Sequence, residues 1–144
     1  MINQETAQGV VYRRKESHLE FLVIKRVPHD GGFWQAVTGT IDPGEEASET
    51  LRRELKEEAG IIDPLHISVC LEEYNWRMEE KDLTGRDQVF AVEVSNDTEI
   101  TIDPKEHSEF KWLPLQDAVS LLKYDGNKNS MILVAGYAAN LQIN

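Results

Sequence analysis

The 144-residue chain carries 26 acidic against 15 basic residues, a net charge of −11, with 40% hydrophobic and 28% charged residues. That is the balance of a soluble globular protein of one domain's size, and its sign argues against broad electrostatic binding to nucleic acid or to an anionic membrane. No apolar run is long enough for a membrane span or a signal-peptide core, and the lone Cys70, set among apolar residues, excludes an intrachain disulfide and is expected in the core, all of which favours the cytoplasm.

Residues 6–13 (TAQGVVYR) and 19–27 (LEFLVIKRV) read as two strands joined by a hairpin turn at Lys15-Glu16-Ser17. Lys25 and Arg26 close the second strand; by default they are solvated edge charges, yet they stand one short loop before the most acidic stretch of the chain. Residues 28–32 (PHDGG) are a loop by composition, and 33–39 (FWQAVTG) a short strand in which Trp34 is by default a core side chain. Asp42-Pro43-Gly44 is turn chemistry, and a helix is expected from Glu46 or Ala47 to a left-handed stop at Gly60. Beyond it, residues 67–74 and 87–94 are expected strands, joined by a charged loop through 79–82 that Arg77 and Arg86 flank. A polar connection at 96–104 leads to a core strand ending at Trp112 and Leu113, then to a helix opened by Pro114 and running to Lys123. Residues 124–127 break that helix before a last, apolar one over 130–141, with Gly136 as its weak point. Together these elements predict one layered core of mixed composition, an α/β (α+β) sandwich spanning residues 1–144.

The acidic helix carries the chemistry. On a 100° wheel Ala47, Leu51, Leu55 and Ala59 share one face and form the expected buried stripe. Glu54, Glu57 and Glu58, at i, i+3 and i+4, share the neighbouring face, where like charges repel. A solvated acidic face is the plain reading of such a run; a hard divalent cation with oxygen ligands is the functional one. Arg53 stands four residues before Glu57, where a guanidinium orients a carboxylate. No nucleophile offers itself, because Cys70 has no basic neighbour and no serine sits in a tight strand-to-helix turn.

The spacing is more specific than the charges. A glycine (Gly39), five residues, a glutamate (Glu45), seven residues, then Arg53-Glu54-Leu55-Lys56-Glu57-Glu58-Ala59-Gly60-Ile61 resembles the Nudix box of the MutT-like Nudix hydrolases at every defined position. The FWQAVTG segment and the Glu106-His107-x-x-aromatic-x-Trp112 pattern look like one subgroup of that family, the dihydroneopterin triphosphate pyrophosphatases, also described as dATP pyrophosphohydrolases. The resemblance implies the Nudix fold, a mixed β-sheet sandwiched between α-helices, and a Mg²⁺ cofactor that Mn²⁺ can replace. It implies Glu54 and Glu58 as principal metal ligands, Glu57 in the same cluster, Glu106 as a further ligand, and Glu45 in support, with Arg53, Glu54, Glu57 and Glu58 as the catalytic set. It also implies substrate contacts at Arg26, Thr38 and Gly39, with Trp34 either lining the ring pocket or holding the strand beneath it. His107 is read as structural. The implied reaction splits a nucleoside or dihydroneopterin triphosphate, a small-molecule partner, into a monophosphate and pyrophosphate. The chain is expected to act as a monomer or homodimer. Cleavage of a dinucleoside polyphosphate or an RNA 5′ end is the alternative within the family; a non-catalytic nucleotide-sensing module and an acidic helical protein binding Ca²⁺ or a basic partner are the alternatives outside it.

Overall fold

The computed structural model describes residues 3–143. Its centre is a mixed eight-stranded sheet covered on both faces by helices. β1 (Gln4–Arg14) and β2 (Leu19–Arg26) form the expected hairpin, closed by Lys15 N–H donating to His18 O at 2.8 Å. The two strands pair only near that turn, from Tyr12↔Phe21 to Arg14↔Leu19, and then diverge. A wedge fills the gap. β3 (Trp34–Gln35) pairs with the far end of β2, and β4 (Val37–Thr40) pairs with the start of β1. The single strand expected over 33–39 is therefore two, broken at Ala36 where the chain changes partner.

After β4 comes α1 (Ala47–Ala59), opened by Glu46 N–H donating to the Glu49 carboxylate and stopped by Gly60 at φ 70°. Ile61 N–H reaches back to Leu55 O and Gly60 N–H to Lys56 O, both at 3.0 Å, so a left-handed glycine satisfies the last carbonyls. Leu51, Leu55 and Ala59 are buried as expected, against Ala7, Val11, Leu22, Ile24 and Val92 of the sheet, with Ala47 partly buried beside them.

The chain then adds β5 (His66–Ile67) and β6 (Glu72–Met78) along one edge of β7 (Leu83–Glu93), whose other edge pairs in parallel with β1. The strand expected over 67–74 is thus interrupted. Ser68 takes over the ladder, its N–H donating to Ala91 O and its Oγ accepting from Ala91 N–H, so Val69 and Cys70 bulge outward. Cys70 is exposed, not in the core as its apolar neighbours suggest. The charged loop at 79–82 is a 3₁₀ turn, Glu79–Lys81.

Among the described residues β8 (His107–Leu113) pairs only with β2, as an edge strand. Trp112 and Leu113, expected in the core, are consequently half-buried, with the Arg13 guanidinium 4.3 Å over the Trp112 ring. α2 (Leu115–Leu121) follows Pro114, and α3 (Asp125–Ile143) begins five residues earlier than the expected 130. Residues 125–127, read as a break, form its first turn: Asp125 there suits the helix dipole, and Ser130 Oγ donates back to Gly126 O at 2.9 Å. α2 and α3 cover a second core of Val10, Tyr12, Phe21, Val89, Met131 and Val134 on the face opposite α1. Among the described residues no helix is long and apolar enough to cross a membrane.

Candidate active site

Strand alternation sends neighbouring residues of β4 to opposite faces. Gly39 turns toward α1, and Glu54 lies directly against it: a Cβ on Gly39 would come within 2.7 Å of Glu54 Oε1 and closer still to its Cγ and Cδ. Only glycine leaves that space. Thr38 faces the other way, yet its backbone favours the charged form of the Glu58 carboxyl.

Arg53 gathers the remaining acids. Its Nη1 lies 2.8 Å from Glu54 Oε1, its Nη2 3.0 Å from Glu45 Oε1, and its Nε donates to Glu45 Oε2 at 3.2 Å. Glu57, the partner that helical spacing suggests, is the looser one at 3.7 Å. The Arg53 hydrogen bond comes first, with bonds from Thr50 and from the Asp42 N–H, in holding Glu45 down at about 2. Glu45 is therefore a fixed anion that aims Arg53.

Glu58 differs. It is 5% exposed, and its Oε1 is buried with no hydrogen-bond partner. Desolvation first, then the adjoining Glu54 carboxyl, push its pKa far above the carboxylate range. The repulsion implied by the sequence is thus relieved in two ways: Arg53 bridges Glu54 and Glu57, and burial favours the neutral form of Glu58. Among the described residues no three His, Cys, Asp or Glu side chains gather about one point as a formed cation site. The donor set still suits a hard cation. Glu58, with an orphaned buried oxygen, neighbours the Glu54 carboxyl, whose place against the strand Gly39 secures, and a divalent charge would stabilise the two as anions side by side.

Glu106 enters from the loop before β8, held by Val27 N–H donating to Glu106 O at 3.0 Å. Burial, and then the charges of Asp103, Glu54 and Glu57, raise its pKa, so it belongs to the same field. His107 is buried beside it, its Nε2 3.2 Å from Gln35 Nε2, and burial followed by the Arg26 charge lowers its pKa. Arg26 donates to Gln35 Oε1 at 3.1 Å and to Asp30 Oδ2 at 2.6 Å. The expected structural role of His107 accords with this chain of contacts, which braces Arg26.

A cavity of about 680 Å³ has Arg26, Thr38 and Gly39 in its wall, while Glu54, Glu57, Glu58 and Glu106 lie outside that wall, with Glu54 against Gly39. Its rings are Phe33, Tyr74, Trp76 and Tyr124, with Lys123 5.5 Å over Phe33 and 5.2 Å over Tyr124. Trp34 is not in this wall. It pairs across from Lys25 and packs against the core beneath α2, with Lys111 Nζ 5.3 Å over its ring. Arg77 lines the cavity, whereas Arg86 pairs with Glu5 at 3.5 Å.

The cavity floor escaped the sequence reading. Thr6, Gln8, Tyr74, Asp87, Asn127 and Ser130 form a polar network there, with Asp87 accepting from Thr6 Oγ1 at 2.7 Å and from Gln8 Nε2 at 2.6 Å. A signal was present: Thr6 and Gln8 alternate with Ala7 and Gly9, placing two polar side chains on one inward face of a central strand.

Comparison with known proteins bears on this arrangement. The family model described as NUDIX domain matches residues 3–133. The asymmetrical bis(5'-nucleosyl)-tetraphosphatase of Caenorhabditis elegans is 30% identical over 119 residues, covering 80% of this chain and 82% of that protein. The dihydroneopterin triphosphate diphosphatase of Escherichia coli (strain K12) is 30% identical over 112 residues, covering 71% and 74%. An octanoyltransferase of Myxococcus xanthus is 28% identical over 132 residues, 88% of this chain, but the chain spans 35% of that protein's length. A solved C. elegans Ap4A hydrolase binary complex matches the fold with a TM-score of 0.82 at 24% identity, over 96% of this chain and 99% of that one.

Proposed function

The chain belongs to the NUDIX family of hydrolases, and from that premise we propose that it is a divalent-cation-dependent pyrophosphohydrolase of a ring-bearing triphosphate, nucleoside or pterin, yielding a monophosphate and pyrophosphate. The observation that carries this reading is the meeting of two unlike sites at Thr38 and Gly39: a carboxylate pair with an orphaned buried oxygen, and an aromatic-walled cavity.

Members of the family generally use divalent metal ions; Mg²⁺ is the expected ion, with Mn²⁺ able to replace it. Glu54 and Glu58 would hold it, with Glu57 and Glu106 at its margin. When bound, the cation neutralises polyphosphate charge and lowers the pKa of water. The chain's own residues do the rest. Arg53, anchored by Glu45, fixes the direction of the Glu54 carboxylate. Arg26 and the Thr38–Gly39 backbone border the path from carboxylates to cavity and hold the tail, while Phe33, Tyr74 and Tyr124 enclose the ring. Water adds to phosphorus, a phosphoanhydride P–O bond breaks, the electron pair leaves on pyrophosphate, and a carboxylate, Glu54 or Glu57, takes the water's proton. A second reading, cleavage of a dinucleoside polyphosphate, draws its support from the C. elegans relative.

The test is a Mg²⁺-dependent hydrolysis screen over nucleoside triphosphates, dihydroneopterin triphosphate, diadenosine tetraphosphate and 5′-triphosphorylated RNA, with products identified. Pyrophosphate as the first product from a triphosphate, abolished by Glu58→Gln in a folded protein, is the expected outcome. Preference for the dinucleotide, or orthophosphate released first, refutes the triphosphate reading; binding without turnover of any of them refutes catalysis.

A further inference from the structure

The cavity floor holds a carboxylate that, among the described residues, no cation answers. Asp87 is 3% exposed, and the groups acting on its carboxyl are neutral: Thr6, Gln8 and Tyr74. Thr6 uses one acceptor position on Oδ1 and Gln8 one on Oδ2, and a carboxylate offers about four. Beside it, Asn127 Nδ2 is loosely engaged, 3.3 Å from the Tyr74 hydroxyl and 3.5 Å from Gln8 Oε1. Asp87, Gln8, Tyr74 and Asn127 all line the same cavity. A buried anion supported only by neutral donors is expensive unless something completes it.

We propose that Asp87 is a specificity-determining residue that reads the edge of a 2-amino-oxo ring, guanine or pterin, in preference to adenine. This rests on the reading of the cavity as the ring site of a triphosphate substrate. Guanine and pterin present an amino N–H and a ring N–H side by side, followed by a carbonyl oxygen. The two donors match the two oxygens of Asp87, and the carbonyl matches the donor on Asn127. Adenine presents its amino group beside a ring nitrogen that accepts, which sets a lone pair against an ionised Asp87. A site built to hydrogen-bond one edge discriminates strongly, since the wrong ring leaves its buried polar groups unpaired. The rings of Phe33, Tyr74 and Tyr124 contact any flat base and carry no such selection. Choice among bases therefore falls to the floor.

GTP, ITP and ATP separate the terms, because ITP is GTP without the 2-amino group. The wild-type protein with Mg²⁺ is expected to show kcat/KM for GTP roughly ten- to a hundredfold above ITP, the range of a hydrogen bond to a charged group, and ATP no better than ITP. Dihydroneopterin triphosphate should group with GTP. In Asp87→Asn, which keeps the shape, the GTP-to-ITP ratio should fall toward one. Wild-type kcat/KM for ATP equal to or above GTP overturns the proposal, and so does a GTP-to-ITP ratio unchanged by Asp87→Asn. The wild-type ratios decide the matter even if the variant fails to fold. Hydrolysis of none of these triphosphates is a different result, and it removes the proposed function itself.

Discussion

Gly39→Ala isolates the contact between strand and helix. Gly39 lies outside the left-handed region, so alanine fits the backbone, and its pairing with Ala7 of β1 is compatible with a methyl group. The methyl would collide with Glu54, coming within 2.7 Å of Oε1 and nearer to Cγ and Cδ, so the side chain must retreat by roughly 1 Å or more to regain ordinary contact. The cost to the fold is small. Glu54 is a flexible chain that can swing aside, its ion pair with the one-third-exposed Arg53 is worth at most about 1 kcal/mol, and alanine returns about 0.4–1 kcal/mol through the unfolded chain. The cost to catalysis is larger, because a displacement of about 1 Å in a positioned group lowers rate by roughly a hundredfold, or about 2.7 kcal/mol in the barrier. The assay is pyrophosphate release at saturating Mg²⁺ alongside a thermal melt, each with and without metal. The expected variant melts within a few degrees of wild type, turns over roughly a hundredfold more slowly, and gains less Tm from Mg²⁺. A kcat within threefold of wild type would show that the placement of Glu54 against Gly39 has no catalytic meaning.

Glu106→Ala should lower kcat while changing stability by no more than about 0.5 kcal/mol, since the side chain is exposed on a loop; equal losses in both, read by kinetics and urea denaturation, would make it structural. Arg26→Ala should weaken kcat/KM by up to about 1.5–3 kcal/mol, the worth of a hydrogen bond to a charged phosphate, and an unchanged kcat/KM would leave Arg26 as merely the partner of Asp30 and Gln35. Asp87 predicts a pH dependence. Burial raises its pKa above the ordinary 3.8, so between that value and the folded one the folded state holds a proton that the unfolded chain has lost, and above the folded value Asp87 is ionised; its contribution is full below about pH 3.8 and is lost as pH rises through the folded value. The stability of wild type relative to Asp87→Asn should therefore decline from about pH 4 upward, and parallel denaturation curves across that range would refute the assignment.

Legibility followed the kind of signal each element carries. α1 was readable nearly to the residue, because its stripe has a helical period and Gly60 marks a left-handed end. The hairpin of β1 and β2 was readable for the same reason, a local turn between two β-rich runs. Where pairing decides, the sequence was ambiguous. Nothing local says that residues 33–39 must leave β2 for β1 at Ala36, or that Ser68 will replace a ladder bond and turn Cys70 to solvent. Trp112 reads as core by composition, but its burial depends on whether a further strand lies beyond β8, and among the described residues none pairs there. The site divides likewise. The carboxylates of α1 declare themselves by spacing, whereas Asp87 meets Thr6 and Gln8 only through a parallel pairing of β1 with β7, some eighty residues apart in the chain.

Under the proposed function, that parallel pairing and the short strand β4 together set the two chemically opposed ends of the substrate on either side of one strand. Asp87 and Gln8 face the α3 side of the sheet, and Thr38, paired with Gln8, faces it too. Gly39, one residue on, faces Glu54 on α1. Because side chains alternate along a strand, two consecutive residues serve the two faces of the sheet, Thr38 toward the cavity and Gly39 toward the carboxylates, with no loop involved. A slip of one residue in β4 would exchange the faces, bringing a threonine side chain against Glu54. Four ladder pairs from Thr6↔Thr40 to Gly9↔Val37 guard against that slip, which is why a strand of only four residues can hold an acid pair and a ring pocket in fixed register.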